Sequence, residues 1–496
     1  MSIDRASPTP PSRQLAEALR QSISEGRLPS GVRLPSSRVL AAELGLARST
    51  VVTVLEQLTT EGFIVPRRGS GYFVAPLPPA APKPANEATA AAPPRLLSRH
   101  AALLRELRPP PPRGSPRPFE LGYAEIDGRF MTSWKRLASR ALSGRSRLPW
   151  FYGDASGEPA LRRAVADYLA AARGARCRPE QVVLTNGTQQ GLSLAARLLL
   201  DPGDAAWVED PCYRSAYEIL RAAEARLMPV PVDEHGLDLA SAQAVRNPAP
   251  RLVYTTPSRQ YPLGMTMPLP RRIALLEWAA RVGVWIVEDD YESEFQPQGR
   301  TLPALQGLDR AGRVIYLGTF SKLLFPSLRL GYAVLPEDLA EPFAAARHLV
   351  DRQSSALLQT IMTDFIVEGH FARHLKRMRA LYAERQGWLI DLLSRRLKGV
   401  LEVRPTERGM YAIGWLPRGW SDVAAARALA AADVATVPLS SLTLATPRPP
   451  GLVLGYTGHS PAAMARAVER MAAAFERETG LATRQELELR QDHLSA

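Results

Sequence analysis

Lys322 is the residue of this 496-residue sequence whose type and surroundings point most directly to chemistry. The chain has five lysines, Lys83, Lys135, Lys322, Lys376 and Lys398, and arginine supplies nearly all of its positive charge, so a lysine in an apolar setting needs a reason. It lies in RVIYLGTFSKLLFPSLRLGY, residues 313–332. Residues 314–317 read as a short buried strand, 318–321 as the turn at its end and 330–334 as a second apolar strand. A permanently protonated guanidinium cannot act as an amine nucleophile at such a turn, whereas a lysine can lose its proton and form a Schiff base. Thr319 and Ser321 add hydroxyls and Arg329 a guanidinium, so a phosphate-bearing aldehyde could be held while its carbon meets the amine. A lone lysine at a strand end more often snorkels to water. The neighbours shift that balance.

Three further stretches offer matching chemistry. TNGTQ, residues 185–189, follows a strand and opens the helix expected at 190–200. Backbone amides of Gly187, Thr188 and Gln189, with the Thr188 hydroxyl, would there face a phosphate at a helix N-terminus. EDPCY ends in Tyr213, placed to stack on a planar heterocycle. EDDY brings Glu288, Asp289, Asp290 and Tyr291 to the end of another strand. One buried carboxylate, which we take as Asp289, would keep a pyridine nitrogen protonated, and Tyr291 would hydrogen-bond the ring's phenolic oxygen.

The pattern GTFSK followed by R-x-G resembles the pyridoxal-phosphate lysine segment of fold-type I aminotransferases. The resemblance implies pyridoxal 5'-phosphate as cofactor and Lys322 as its Schiff-base lysine.

The elements that must position these residues fall into two sets. Strand patterns at 182–184, 206–208, 252–255, 284–287, 314–317 and 330–334, with apolar-periodic helices between most of them, predict an α/β domain with a mostly parallel sheet. Its ligand belongs at the carboxyl ends of the strands. Ahead of it, residues 12–75 carry another pattern. Leu15, Leu19 and Ile23 share one helical face. A second helix opens at Pro35 and Ser36 and stops at Gly45, and a third starts near Arg48 with Val51, Val54, Leu55 and Leu58 inward. Two helices across so short a glycine turn make a helix-turn-helix. Two short strands, 63–66 and 71–74, around the turn at Arg67, Arg68, Gly69 and Ser70 add a wing. Arg38, Arg48, Ser49, Thr50, Thr53, Arg67, Arg68 and Gly69 would present one face to double-stranded DNA. Residues 26–74 closely resemble the GntR family of bacterial winged-helix repressors.

Between the two lie residues 76–118, with 13 prolines in 43 positions and seven Lys or Arg against two Glu. This composition predicts a semi-rigid tether rather than a packed element, with Arg95, Arg99, Arg105, Arg108, Arg113 and Arg117 keeping it solvated.

The net charge of +13 suits an acidic partner such as nucleic acid. Two cysteines and seven scattered histidines give neither a disulfide framework nor a metal site. No window approaches ~18 uninterrupted apolar residues, and the N-terminus has no apolar signal core, so the expectation is a cytoplasmic protein without a membrane partner.

In order, YGDASGEPALR, TNGTQQG, EDPCYR, TPSRQYPLG, EDDYESEF and GTFSK-x6-R closely resemble the aminotransferase-like domain of MocR-type regulators, which also carry a GntR head. The likeness covers 12–75 and about 119–480. It implies Tyr213 as the ring stacker, a phosphate held by Thr188, Gln189, Thr319, Ser321 and Arg329, a homodimer, and Tyr152 reaching over from the partner subunit. Two departures stand out. Tyr261 occupies the place of the asparagine that bonds the phenolic oxygen in ordinary aminotransferases, and Val453 that of an arginine that grips a substrate α-carboxylate. Arg214, Arg259 or Arg352 could substitute for the latter. The leading expectation is a transcriptional regulator sensing pyridoxal phosphate, or an amine or amino acid condensed with it as an external aldimine. The alternatives are an active aminotransferase with an accessory head, and a cofactor reservoir with incidental DNA affinity.

Overall fold

In the computed structural model of the chain, residues 3–76, 96–107, 115–143, 152–244, 249–296, 302–404 and 409–492 are described, the side chains of the last helix as far as residue 477. Two units emerge, Met1–Leu96 and Leu97–Ala496.

In the first unit, helix α1 (Pro11–Ser24) starts on a proline, whose missing N–H costs nothing at that position. Helix α2 (Ser37–Leu44) is capped by Ser36, whose side chain accepts from the Val39 amide at 3.3 Å, and ends on Gly45 at φ 63. Helix α3 (Arg48–Thr60) follows after only three residues. Strands β1 (Ile64–Arg67) and β2 (Gly71–Val74) pair antiparallel, Ile64 opposite Val74. Leu15, Leu19, Val51, Val54, Leu55, Leu58 and Ile64 are buried together, each side chain contributing about 1.5–3 kcal/mol. The Arg20–Glu61 pair ties α1 to the end of α3. The expected winged helix-turn-helix is present, with the first wing strand one residue later than its sequence pattern suggested.

The second unit is organised on an eight-stranded sheet. Its strands are β3 (Val182–Thr185), β4 (Ala205–Asp210), β5 (Arg226–Asp233), β6 (Gly236–Leu237), β7 (Leu252–Thr255), β8 (Trp285–Asp290), β9 (Val314–Thr319) and β10 (Gly331–Val334). They lie in the order β3-β10-β9-β8-β7-β4-β5-β6. Strands β5, β4, β7, β8 and β9 run parallel, while β10 is antiparallel to both its neighbours. All six strands read from the sequence are there, the one expected at 284–287 running on to Asp290. A four-stranded antiparallel sheet, ordered β11-β12-β14-β13, is built from β11 (Glu402–Val403), β12 (Tyr411–Trp415), β13 (Val437–Pro438) and β14 (Gly451–Gly455). Apolar clusters fill both faces of the large sheet.

The proline-rich stretch departs from its expectation. Residues 77–95 and 108–114 lie outside the described residues, including Arg95, Arg108 and Arg113. Arg99–Glu106, however, is a helix in the second unit, capped by Ser98. It lies against the helix Arg214–Ala222, with Arg221 Nη2 2.5 Å from Glu106 Oε2. Proline content hid it, because prolines crowd both sides of the 14-residue window 95–108 that contains none. Among the described residues no helix is long and apolar enough to cross a membrane.

Candidate cofactor site and nucleic-acid surface

The carboxyl ends of β8 and β9 and the helix N-terminus after β3 converge on a cavity of about 290 Å³. Gly187, Thr188, Gln189, Tyr213, Asp289, Tyr291, Thr319, Ser321, Lys322 and Arg329 line it, so ten of the eleven expected contact residues come together. Tyr152 does not belong to that lining. It is exposed, with the Arg352 guanidinium 4.4 Å from its ring centroid.

Strand alternation sorts the acidic trio. Glu288 accepts from the amides of Leu305 and Gln306, both at 3.0 Å, and Asp290 takes the Arg173 guanidinium at 2.9 Å and the Tyr316 hydroxyl at 2.8 Å. Asp289, between them, alone of the three faces the cavity. The Tyr254 hydroxyl donates to its Oδ2 at 2.7 Å, and Oδ1 has no partner. Burial pushes the Asp289 carboxyl up to about 7, against the pull of Tyr254 and Lys322. Burial lowers the Lys322 amine below its usual range. Arg329 adds to that effect, and Glu292 and Asp289 oppose it.

At the other end of the cavity, helix Thr188–Leu199 starts from Gly187, held at φ 100. A Cβ on Gly187 would stand 3.3 Å from both terminal nitrogens of Arg329, which therefore lies over the free amides of that helix end. Arg329 is itself left-handed at φ 47. The glycine of R-x-G follows from packing, since a Cβ on Gly331 would be 2.9 Å from Gly187 Cα and 2.7 Å from the Gly318 oxygen. The Ser321 amide donates to Thr319 Oγ1 at 3.1 Å, while the buried Ser321 Oγ has no partner.

Sequence reasoning missed several wall residues. Leu121, Gly122, Tyr254, Thr256, Glu292, Pro326, Met410 and Tyr411 also line the cavity. Gly122, at φ 88, was findable in principle as a close-approach glycine, because a Cβ there would collide with Lys322 Nζ. Tyr411 arrives from the small sheet and had no local signal. Its hydroxyl lies 2.8 Å from that of Tyr291, which donates to the Arg259 carbonyl at 3.1 Å. Tyr261 packs edge-on to Tyr213, Tyr291 and Tyr411, with ring centroids 5.5 to 5.9 Å apart. Cys212, next to Tyr213, is buried and its amide donates to the Leu442 carbonyl at 3.0 Å.

None of the three arginines suggested as carboxylate anchors lines the cavity. Arg259 is buried, with Nε 2.5 Å from Glu292 Oε1 and its guanidinium 4.8 Å from the Tyr411 centroid. Arg214 pairs with Glu218 at 2.8 Å, and Arg352 is turned to Tyr152. Val453 is fully buried with Tyr411 and Leu442.

On the first unit Arg38, Arg48, Ser49, Thr53, Arg67, Arg68 and Gly69 are exposed and Thr50 is half-buried. The Thr53 hydroxyl donates to the Ser49 carbonyl at 3.0 Å, and the Arg67 guanidinium sits 4.4 Å from the Phe73 ring centroid.

Residues 11–74 match the family of bacterial regulatory proteins, gntR family, and residues 119–471 match aminotransferase class I and II. The chain is 41% identical over 477 residues to the probable rhizopine catabolism regulatory protein MocR of Rhizobium meliloti, covering 95% of each. The chain belongs to the MocR-type regulators of the GntR family. Another relative, the pyridoxine biosynthesis transcriptional regulator PdxR of Corynebacterium glutamicum, is 32% identical over 82% of this chain and 83% of its own. Among solved structures, the α-aminoadipate aminotransferase LysN of Thermus thermophilus, complexed with N-(5'-phosphopyridoxyl)-L-leucine, superposes with a TM-score of 0.69 at 29% identity, over 78% of this chain and 98% of that one. As a MocR-type protein this chain is a DNA-binding transcriptional regulator rather than an enzyme, and pyridoxal 5'-phosphate is the cofactor of its aminotransferase-like domain. The cavity suits that group. It offers an unpartnered buried carboxylate oxygen, an unpartnered buried hydroxyl, an amine of lowered proton affinity, and an arginine over a helix N-terminus.

Proposed function

We propose that this regulator senses pyridoxal phosphate itself, and that occupancy of the cavity sets the affinity of the winged head for its operator. The observation that carries this reading is the unequal furnishing of the cavity. Ten of the eleven groups expected for the cofactor line it, while the position of a carboxylate-gripping arginine is Val453, sealed among Tyr411 and Leu442. An α-amino acid would lack a bidentate anchor there.

In this reading Lys322 is the amine that meets the cofactor's aldehyde, and its lowered proton affinity leaves a larger fraction neutral and nucleophilic. Asp289 Oδ1 accepts from the ring nitrogen, Tyr291 reaches the phenolic oxygen and Tyr213 covers the ring. Arg329, Thr319, Ser321, Thr188, Gln189 and the Gly187 helix end hold the phosphate. Bound there, the cofactor supplies an electrophilic aldehyde and an electron-withdrawing ring. Arg38, Arg48, Ser49, Thr50, Thr53, Arg67, Arg68 and Gly69 form the DNA-facing surface. We further propose a cytoplasmic homodimer in which Tyr152 serves the other subunit's cavity. Its exposure, 77% even beside Arg352, supports that reading.

A fragment of the chain's own upstream DNA, titrated with the full-length protein with and without pyridoxal phosphate and then with a panel of amines and amino acids, tests the reading. A change of operator affinity on adding cofactor alone is the expected result. A large response to one amino acid and none to the cofactor would overturn cofactor sensing in favour of amine sensing. Steady turnover of amino acids by the purified protein would favour the aminotransferase alternative.

A further inference from the structure

Two helices begin at the cofactor cavity and end on a shared groove. Thr188–Leu199 starts at the phosphate end, and Arg214–Ala222 starts directly after the ring-facing Tyr213. At 1.5 Å per residue these rods are about 18 and 13 Å long. Their far ends, through Ser193, Arg197, Leu200, Ile219 and Ala222, line a groove of about 450 Å³ whose other wall is His100 and Leu104 of the linker helix Arg99–Glu106.

That helix is held lightly. None of its residues is buried, and Leu104 is 44% exposed. Its polar ties are the Arg221–Glu106 pair at 2.5 Å and His100 Nδ1 at 3.9 Å from Glu224 Oε1, both at exposed positions, so the dock is marginal enough for one like-charge contact to tip it. Eight residues are too few for a stable isolated helix, so its helicity depends on the dock.

We propose that the linker helix is a marginally docked reporter of the cavity. Filling the cavity biases the two rods that start there, and with them the balance between a docked helix and an undocked, unwound segment. The proposal rests on reading the cavity as the cofactor site. Docking also sets the reach of the tether. With the helix seated, the chain leaving the wing is anchored from residue 98. With it released, the next anchors are Arg117, whose backbone bonds His459, and Pro118, whose carbonyl accepts from the Ala435 amide at 2.9 Å. The number of residues between the wing and its first anchor in the second unit then roughly doubles, which changes the effective concentration of the head. A nearly balanced equilibrium of this kind responds to modest differences in affinity.

Peptide-level hydrogen exchange on the full-length protein, with and without pyridoxal phosphate, is the direct test. Amides of 99–106 should change protection on loading. Arg221→Glu, which sets a carboxylate against Glu106, should leave them unprotected in both states, and the double exchange Arg221→Glu with Glu106→Arg should restore the response. In operator titrations Arg221→Glu should shrink the cofactor-induced change in affinity by about threefold or more. Identical exchange at 99–106 with and without cofactor in the unaltered protein overturns the proposal, as does a full operator response in Arg221→Glu. If exchange responds but operator affinity does not, the sensor reading fails and the coupling between cavity and linker stands.

Discussion

The Tyr254 hydroxyl holds one oxygen of Asp289 at 2.7 Å and leaves the other without a partner in a buried wall. Half of the carboxylate is thereby fixed in orientation, and the other half is presented to the cavity. Because burial raises this group from its ordinary value to about 7, the cofactor-free folded chain binds a proton that the unfolded chain has lost. Its stability should therefore fall as pH rises from about 4 through about 7. Asp289→Asn removes that penalty, on the order of a few kcal/mol, and should raise the melting temperature of the cofactor-free protein at pH 8 relative to the unaltered protein. It should also weaken pyridoxal phosphate by on the order of 10- to 100-fold, because a charge-assisted hydrogen bond is lost. Thermal melts across pH and an absorbance titration read the two effects. Unchanged cofactor affinity in Asp289→Asn would remove this residue from the ring nitrogen.

Arg329 is tested by the phosphate. Arg329→Gln should weaken pyridoxal phosphate by on the order of 10- to 100-fold and leave the weaker binding of pyridoxal, which has no phosphate, nearly unaltered. Equal losses for both compounds would place Arg329 elsewhere.

Lys322 should be the residue that borohydride fixes to the cofactor, with the modified peptide found by mass spectrometry. Lys322→Ala should yield no reduced adduct. Lys135, Lys376 and Lys398 are exposed, and a stoichiometric adduct in the variant would sink the assignment.

On the head, Arg38→Ala and Arg48→Ala should each cost about 1–3 kcal/mol of operator binding if they read bases or anchor the groove. Arg68→Ala on the wing should act chiefly on the salt dependence, as loss of one phosphate contact does. Fluorescence anisotropy at fixed and then varied salt separates the cases, and unaltered affinity in both helix variants would refute this placement of the reader.

Much of this was legible in the sequence because the parts are local. Val51, Val54, Leu55 and Leu58 declare α3 by spacing alone, Asp289 follows an apolar run inside β8, and Lys322, Tyr213 and Thr188 each sit just beyond an apolar strand. What escaped had no local signature. Strand β5 carries Pro229 and Pro231, which argue against a strand, yet it lies near the sheet margin beside the two-residue β6, where missing amides are tolerated. Strands β11 and β13 have two residues each, too few for any period. Tyr254 reads as one more apolar strand residue until β7 is set beside β8, and Tyr411 reaches the cavity only through the register of the small sheet. Arg259 looked available because a sequence does not show that Glu292 is its buried partner.

Cys212 is buried immediately before the cavity-lining Tyr213, and burial pushes its thiol up to about 12. The chain's other thiol, Cys177, is half-buried and raised to about 11. Reactivity belongs to the thiolate, so alkylating reagents at neutral pH find little to attack while both segments stay packed. The protein thus carries a chemical clock beside its cavity-lining tyrosine, in which the rate of Cys212 alkylation counts how often that buried segment opens.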